Sequence, residues 1–190
     1  RDRVTQDDKF EFKDTNTIDI KLQTNSKTHT MALTVGSKAP DFSLKNHSLE
    51  DVSLSDFKGK KNVVLLFFPL VGTSVCEKEL CSTRDSMLNY EDLDAQVLAV
   101  SVDSPFAQKL WVDKLKFNFP LLSDFNKEVS KTYGTYYDVF APGKFDYLGV
   151  AKRSAFVIDK DGVIQYAEVL ENAGEEPNYE KIKETLHGIH

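Results

Sequence analysis

The chain has 190 residues, enough to bury a substantial core in one domain without disulfide staples. Thirty acidic against 24 basic residues leave a net charge of −6, which argues against nucleic acid or an anionic membrane surface as partner. With 41% hydrophobic residues, two cysteines and no apolar run near the roughly 20 residues of a bilayer span, the composition excludes a helical membrane protein and a disulfide scaffold.

So sparing a use of cysteine suits a reducing compartment, and the cytoplasm is the expected location. The N-terminus lacks the apolar core of a secretory signal, although a chain whose signal had been removed would read the same. Residues 1–30 are polar, with two alternating runs, "KFEFK" and "TIDIKL", on either side of the turn-prone "DTNT". This pattern predicts a β-hairpin with Phe10, Phe12, Ile18, Ile20 and Leu22 on one face. An isolated hairpin is marginal in water, so it needs a partner surface. We read 1–30 as an extension or appended leader that carries no chemistry, and 31–190, opening at Met31, as the domain proper.

From Met31 onward, strand and helix signals alternate. "NVVLLFF" (Asn62–Phe68) is a near-continuous apolar run, the pattern of a central strand covered on both faces. "SVCEKELCSTRDSMLNYEDL" after Thr73 is rich in helix formers, with Val75, Leu80, Met87 and Leu88 as apolar positions. "AQVLAVSVD" predicts a second buried strand. "SPFAQKLWVDKLK" opens with a Ser-Pro start signal, and Phe106, Leu110, Trp111 and Leu115 recur at helical spacing. "KEVSKTYG" predicts a short helix ended by Gly134, and "RSAFVIDKDGVIQYAEVL" a hairpin turning at Lys160–Gly162. "PNYEKIKETLHGI" closes the chain as a helix. Alternating strands and helices followed by a hairpin and a helix predict an α/β domain around a central mixed sheet.

Both cysteines lie in "FFPLVGTSVCEKELC" (Phe67–Cys81). A structural disulfide, a metal site, a redox catalyst and plain packing are the four readings to separate. A helix beginning near Ser74 places Cys76 in its first turn, where unpaired N–H groups and the positive dipole end stabilise an anion. That is one of the settings that makes a thiolate nucleophile available. The hydroxyls of Thr73 and Ser74 are then available as a helix cap or as partners for the sulfur, and Pro69 ends the strand and screens the site from water. The competing reading is two buried packing cysteines, a common fate for a free thiol. On a regular helix, residues five apart have Cα atoms roughly 8.6 Å apart, beyond the upper limit of about 7 Å for a disulfide. Cys76 and Cys81 therefore either never bond or bond only when the first helical turns unwind. Zinc fits poorly, because His29, His47, His187 and His190 are all remote in sequence. A cysteine-protease arrangement would require His47 or His187, and neither has local support.

The segment "FFPLVGTSVCEKELCSTRD" resembles the active-site segment of peroxiredoxins, whose signature Pro-x-x-x-Thr-x-x-Cys is matched in spacing by Pro69, Thr73 and Cys76. "KRSAFVIDKDG" resembles the family's arginine-bearing strand, and "VGSKAPDFSL" its usual opening segment; together the likeness runs from Val35 to about Leu186. It implies a thioredoxin-like fold and a thiol-dependent peroxidase that needs no cofactor or metal. In that reading Cys76 attacks the peroxide and becomes a sulfenic acid. Thr73 hydrogen-bonds thiolate and peroxide, and Pro69 shields the sulfur. Arg153 stabilises the thiolate and the charge developing on the O–O bond. Glu79 orients the arginine. Without the resemblance, Arg153 would read as a strand-end surface charge and Glu79 as a solvated helix residue.

The position of Cys81 is similar to the resolving cysteine of the Q-type peroxiredoxins (bacterioferritin comigratory proteins), which reaches the sulfenic acid after local unfolding. "FFPLVGTSVC" also resembles the alkyl hydroperoxide reductase E group, in which an external thiol can resolve the intermediate. The segment departs from common versions at Gly72, often aromatic, and at Glu77, often Thr or Pro. The resemblance implies hydrogen peroxide or alkyl hydroperoxides as substrate, thioredoxin or a similar dithiol as reductant, and a homodimer as assembly. The alternatives are a one-cysteine peroxidase recycled by an external thiol and a non-enzymatic peroxide sensor or chaperone.

Overall fold

In the computed structural model, which describes residues 33–189, the apolar run from Asn62 becomes a strand buried along its whole length. Two short strands, β1 (Ser43–Asn46) and β2 (Asp51–Ser53), and a single 3₁₀ turn precede it, so it is β3 (Asn62–Phe67). Its side chains alternate between faces with the strand period of two. Val64 and Leu66 point into one cluster and Val63, Leu65 and Phe67 into the other, none more than 2% exposed. A strand with both faces covered has no room for polar residues, which is why the sequence there is nearly unbroken Val, Leu and Phe.

Helix α1 (Ser74–Asp85) follows β3 and gives way to α2 (Met87–Asp92). Then come β4 (Ala95–Ser101), α3 (Pro105–Leu115), β5 (Leu121–Ser123) and α4 (Glu128–Thr132). A small ribbon of β6 (Val139–Phe140) and β7 (Tyr147–Leu148) precedes β8 (Ser154–Ile158), β9 (Ile164–Val169) and the closing helix α5 (Tyr179–Gly188). The seven-stranded sheet has the order β2-β1-β5-β4-β3-β8-β9. β3 runs parallel to β4 and antiparallel to β8, so the sheet is mixed, with helices against it, as the sequence predicts. Leu80 of α1, Tyr90 of α2, Trp111 of α3 and Ile182 and Leu186 of α5 fill one face. Phe42, Leu54, Val129 and Tyr133 cover the other.

Several elements differ from the sequence reading for local reasons. The helix expected through Leu93 is interrupted at Ser86, whose backbone (φ −100, ψ 5) leaves the helical region and separates α1 from α2. On α3, Trp111 is buried but Phe106 and Leu110 face outward at 68% and 74% exposure, so its apolar residues occupy two faces rather than one. The hairpin β1–β2, the strand β5 and the ribbon β6–β7 are too short, at two to four residues each, to show a periodicity. The β8–β9 turn lies where expected, built by the Asp159 carboxylate, which accepts the N–H groups of Asp161 and Val163, and by Gly162 at φ +78. The hairpin expected within residues 1–30 and the boundary at Met31 lie outside the described residues. Among those described, no helix is long and apolar enough to cross a membrane.

Leu65 lies at the centre of this arrangement and is completely buried. Leu65→Ala is expected to lower unfolding stability by about 2–5 kcal/mol through lost burial and a residual cavity, read as a fall in the urea midpoint at unchanged slope.

Candidate active site

β3 ends at Phe67, and the chain turns through Phe68, buried Pro69, Leu70, Val71 and Gly72 before α1 begins at Ser74. Two hydrogen bonds that involve side chains hold this turn. The Thr73 hydroxyl donates to the Leu70 carbonyl at 3.1 Å, and the Val71 N–H donates to the Asp103 carboxylate at 3.0 Å. Asp103 lies just beyond β4 and also accepts from the Ser101 hydroxyl at 2.8 Å; burial pushes its carboxyl above the ordinary range. Gly72 has φ +77, a conformation that costs a side-chain-bearing residue strain and so favours glycine at this turn. Thr73 is the N-cap residue of α1, yet its side chain accepts no cap hydrogen bond; its hydroxyl donates backward to Leu70 instead, and its lone pairs stay free.

Cys76 occupies the first turn of α1, only 1% exposed and reduced. Arg153, immediately before β8, reaches it across the sheet. The register explains how residues 77 positions apart meet: Phe67 at the end of β3 pairs with Ser154 at the start of β8, so the turn into α1 and Arg153 share one end of the sheet. The guanidinium is 1% exposed and spreads its donors over three acceptors. Nη2 donates to Cys76 Sγ at 3.3 Å and to the Ala173 carbonyl at 3.0 Å, and Nη1 donates to the Glu79 carboxylate. Glu79 is fully buried on α1, one turn beyond Cys76. The sequence patterns that would make Arg153 a surface charge and Glu79 a solvated residue are therefore overruled by burial.

The electrostatics follow from that burial. Burial works against the Arg153 charge, but the Glu79 carboxylate and the Cys76 sulfur outweigh it and hold the guanidinium above its usual value. Burial likewise pushes the Glu79 carboxyl up, to about 7, with Arg153 pulling the other way and the Glu176 carboxylate adding to the rise. Glu79 Oε1 and Arg153 Nε have no hydrogen-bond partner among the described residues.

The segment before α5 encloses the site from the other side. Besides the Ala173 carbonyl, it supplies Glu176, which is ion-paired to Lys78 of α1 and accepts from the Tyr179 hydroxyl at 3.0 Å. Cys81, half-buried and also reduced, packs against the core cluster that contains Cys76 and borders a surface depression with Gly72, Ser74, Glu77 and Lys78. Of the sequence candidates, the structure thus gathers Cys76, Arg153 and Glu79 into direct contact, sets Pro69 and Thr73 on the adjoining turn, and leaves Cys81 along the same helix. Asp103, Ala173, Glu176 and Tyr179 join the site without any sequence signal that singled them out. His47 stands apart, its Nδ1 accepting the Leu121 N–H.

The arrangement presents one thiol to one fixed cation in a site shielded from water, which suits nucleophilic attack with charge stabilisation. The chain matches the AhpC/TSA family over residues 35–167. It is 40% identical over 139 residues to the alkyl hydroperoxide reductase E of Mycobacterium tuberculosis (strain ATCC 25618 / H37Rv), covering 72% of this chain and 86% of that one. It is 36% identical over 165 residues to the chloroplastic 2-Cys peroxiredoxin BAS1 of Spinacia oleracea, covering 82% of this chain and 59% of that one. The solved structure of peroxidoxin BcpB from Mycobacterium tuberculosis superposes with a TM-score of 0.72 at 28% identity, over 83% of this chain and 99% of the other.

Removing the cation alone leaves an ionisable carboxyl buried beside the thiol. Arg153→Met is expected to cost about 3–5 kcal/mol of stability at pH 8, because the buried Glu79 carboxyl loses its counter-charge and must either stay ionised without compensation or take up a proton at a pH where it is ionised when unfolded. Arg153→Met combined with Glu79→Leu is expected to recover most of that loss, as read by urea unfolding of the single and double variants.

Proposed function

Because this chain belongs to the AhpC/TSA family, the peroxiredoxins, and is thereby a thiol peroxidase, we propose that it reduces hydrogen peroxide and alkyl hydroperoxides through Cys76. The observation that supports this assignment best is the Arg153 guanidinium, held by Glu79 and Ala173 with one N–H on Cys76 Sγ. The Cys76 thiolate attacks one peroxide oxygen; an S–O bond forms and the O–O bond breaks. The leaving hydroxide or alkoxide takes a proton and departs as water or alcohol, and Cys76 remains as a sulfenic acid. Arg153 faces both the thiolate and the charge developing on the two oxygens, without reorganising during the reaction. Glu79 fixes the plane of the guanidinium. Pro69 keeps bulk water from the sulfur. Thr73, whose own proton goes to Leu70, offers lone pairs that can accept a hydrogen bond from the peroxide.

Resolution falls to Cys81. Its sulfur attacks the sulfenic sulfur, the hydroxyl group leaves as water with the Cys81 proton, and a Cys76–Cys81 disulfide forms. Thioredoxin or a similar dithiol then reduces that disulfide by exchange. Since α1 is continuous from Ser74 to Asp85, this step requires its first turns to unwind. The same continuity favours a second reading, in which an external thiol resolves Cys76 before the helix opens and Cys81 is a bystander.

Cys76→Ser is expected to abolish peroxide consumption, and retained turnover would overturn the assignment. After one equivalent of peroxide, intact mass spectrometry of the wild type should show the loss of two hydrogen atoms that marks a disulfide. Cys81→Ser should instead gain one oxygen and turn over slowly with thioredoxin. A wild type that also gains one oxygen would favour the external-thiol reading.

A further inference from the structure

The segment that must unwind for Cys81 to meet Cys76 carries Glu79, and its closed position is unusual. Residues 77–80 separate the two cysteines, so any opening that shortens their distance moves Glu79 as well. In the closed helix its side chain is completely buried, one carboxylate oxygen takes the Arg153 Nη1–H, and the other has no hydrogen-bond partner among the described residues. The charged and titratable groups around it come from three other directions. Arg153 precedes β8, Glu176 lies in the segment before α5, and Tyr179 opens α5 and hydrogen-bonds Glu176. On α1 itself, Cys76 shares the Arg153 fork, and Lys78 is occupied by Glu176. One cation therefore serves both a carboxyl and a thiol, with a second carboxylate close by and no water-facing oxygen on Glu79.

From this geometry we propose that Glu79 is a proton-coupled latch on the resolving helix: α1 opens with release of the Glu79 proton to solvent, so raising the pH favours opening. The inference rests on the reading that α1 unwinds for Cys81. In the closed state burial raises the Glu79 carboxyl to about 7; unwound and in water it returns to an ordinary value near 4.5. A carboxyl raised in the closed state stabilises that state while it is protonated, and the contribution is lost as pH rises. Below about 4.5 both states hold the proton and opening does not depend on pH; between about 4.5 and 7 the open state sheds it first, and opening grows; above about 7 neither state holds it and the dependence ends. With each unit of separation worth a factor of ten, the opening constant rises on the order of a hundredfold across that window.

The latch acts on the helix rather than on sulfur chemistry, so its test needs no peroxide. Amide hydrogen exchange of the reduced full-length protein between pH 5 and 8, corrected for the intrinsic pH dependence of exchange, reads the opening of Ser74–Leu80 against α3 as internal reference. The expected result is protection in α1 that falls tens- to a hundredfold from pH 5 to 7.5 while α3 stays level, with the slope lost in Glu79→Gln. A level α1 profile in the wild type, or an unchanged slope in Glu79→Gln, would overturn the proposal. If Glu79→Gln does not fold, the carboxyl-carbon titration of Glu79 in labelled wild type decides. A midpoint coinciding with the α1 slope supports the latch, and a midpoint in the ordinary carboxylate range overturns it. Mass spectrometry of the oxidised protein tests resolution by Cys81 separately, so an absent disulfide with an intact α1 slope would remove that reading and leave the latch.

Discussion

A guanidinium buried to 1% exposure is costly unless its neighbours compensate it, and around Arg153 they do so from three parts of the chain. Glu79 supplies the opposite charge, Ala173 a carbonyl, and Cys76 a sulfur at 3.3 Å. The compensation is incomplete, since one Glu79 oxygen and the Arg153 Nε lack partners among the described residues. Such a group is stable only where the surrounding packing fixes every member, and the site inherits its geometry from that requirement. A carboxyl pushed toward neutrality and a guanidinium held charged are two consequences of the same burial.

The sheet makes this meeting possible. β3 delivers the turn and the helix start, and its antiparallel neighbour β8 delivers Arg153 at the same end. β4 contributes by a different route, through Asp103 just beyond its end, which anchors Val71 in the turn. The C-terminal segment closes the site with Ala173 and with the Lys78–Glu176–Tyr179 group. Proposed catalysis and proposed resolution make opposite demands on this assembly. The first is served by a rigid closed helix, and the second by a helix that can leave. Glu79 sits where the two demands meet, bound to the cation that the first requires and placed on the segment that the second must move.

How much of this was legible in the sequence depended on how local each signal was. Pro69, Thr73 and Cys76 form a contiguous pattern after an apolar run, and the strand, the turn and the helix start at Ser74 all follow from propensity and burial. Arg153 and Glu79 carry no local signal that distinguishes a buried pair from two surface charges; only the resemblance to peroxiredoxins joined them, because their proximity arises from strand pairing across 74 residues. Ala173 takes part through its backbone, to which side-chain chemistry gives no clue. The outward Phe106 and Leu110 show the converse, an apolar periodicity that the fold does not use for its core.

The proposed role of Arg153, as the charge that makes Cys76 reactive toward peroxide, is directly measurable. Stopped-flow oxidation of reduced Cys76 by excess hydrogen peroxide, followed in a single turnover, isolates the step from resolution and recycling. For Arg153→Lys, which keeps a positive charge but loses the fork that spans Glu79, Cys76 and Ala173, the predicted second-order rate constant is lower by about 10²–10³-fold. A folded Arg153→Lys protein that oxidises at the wild-type rate would contradict it.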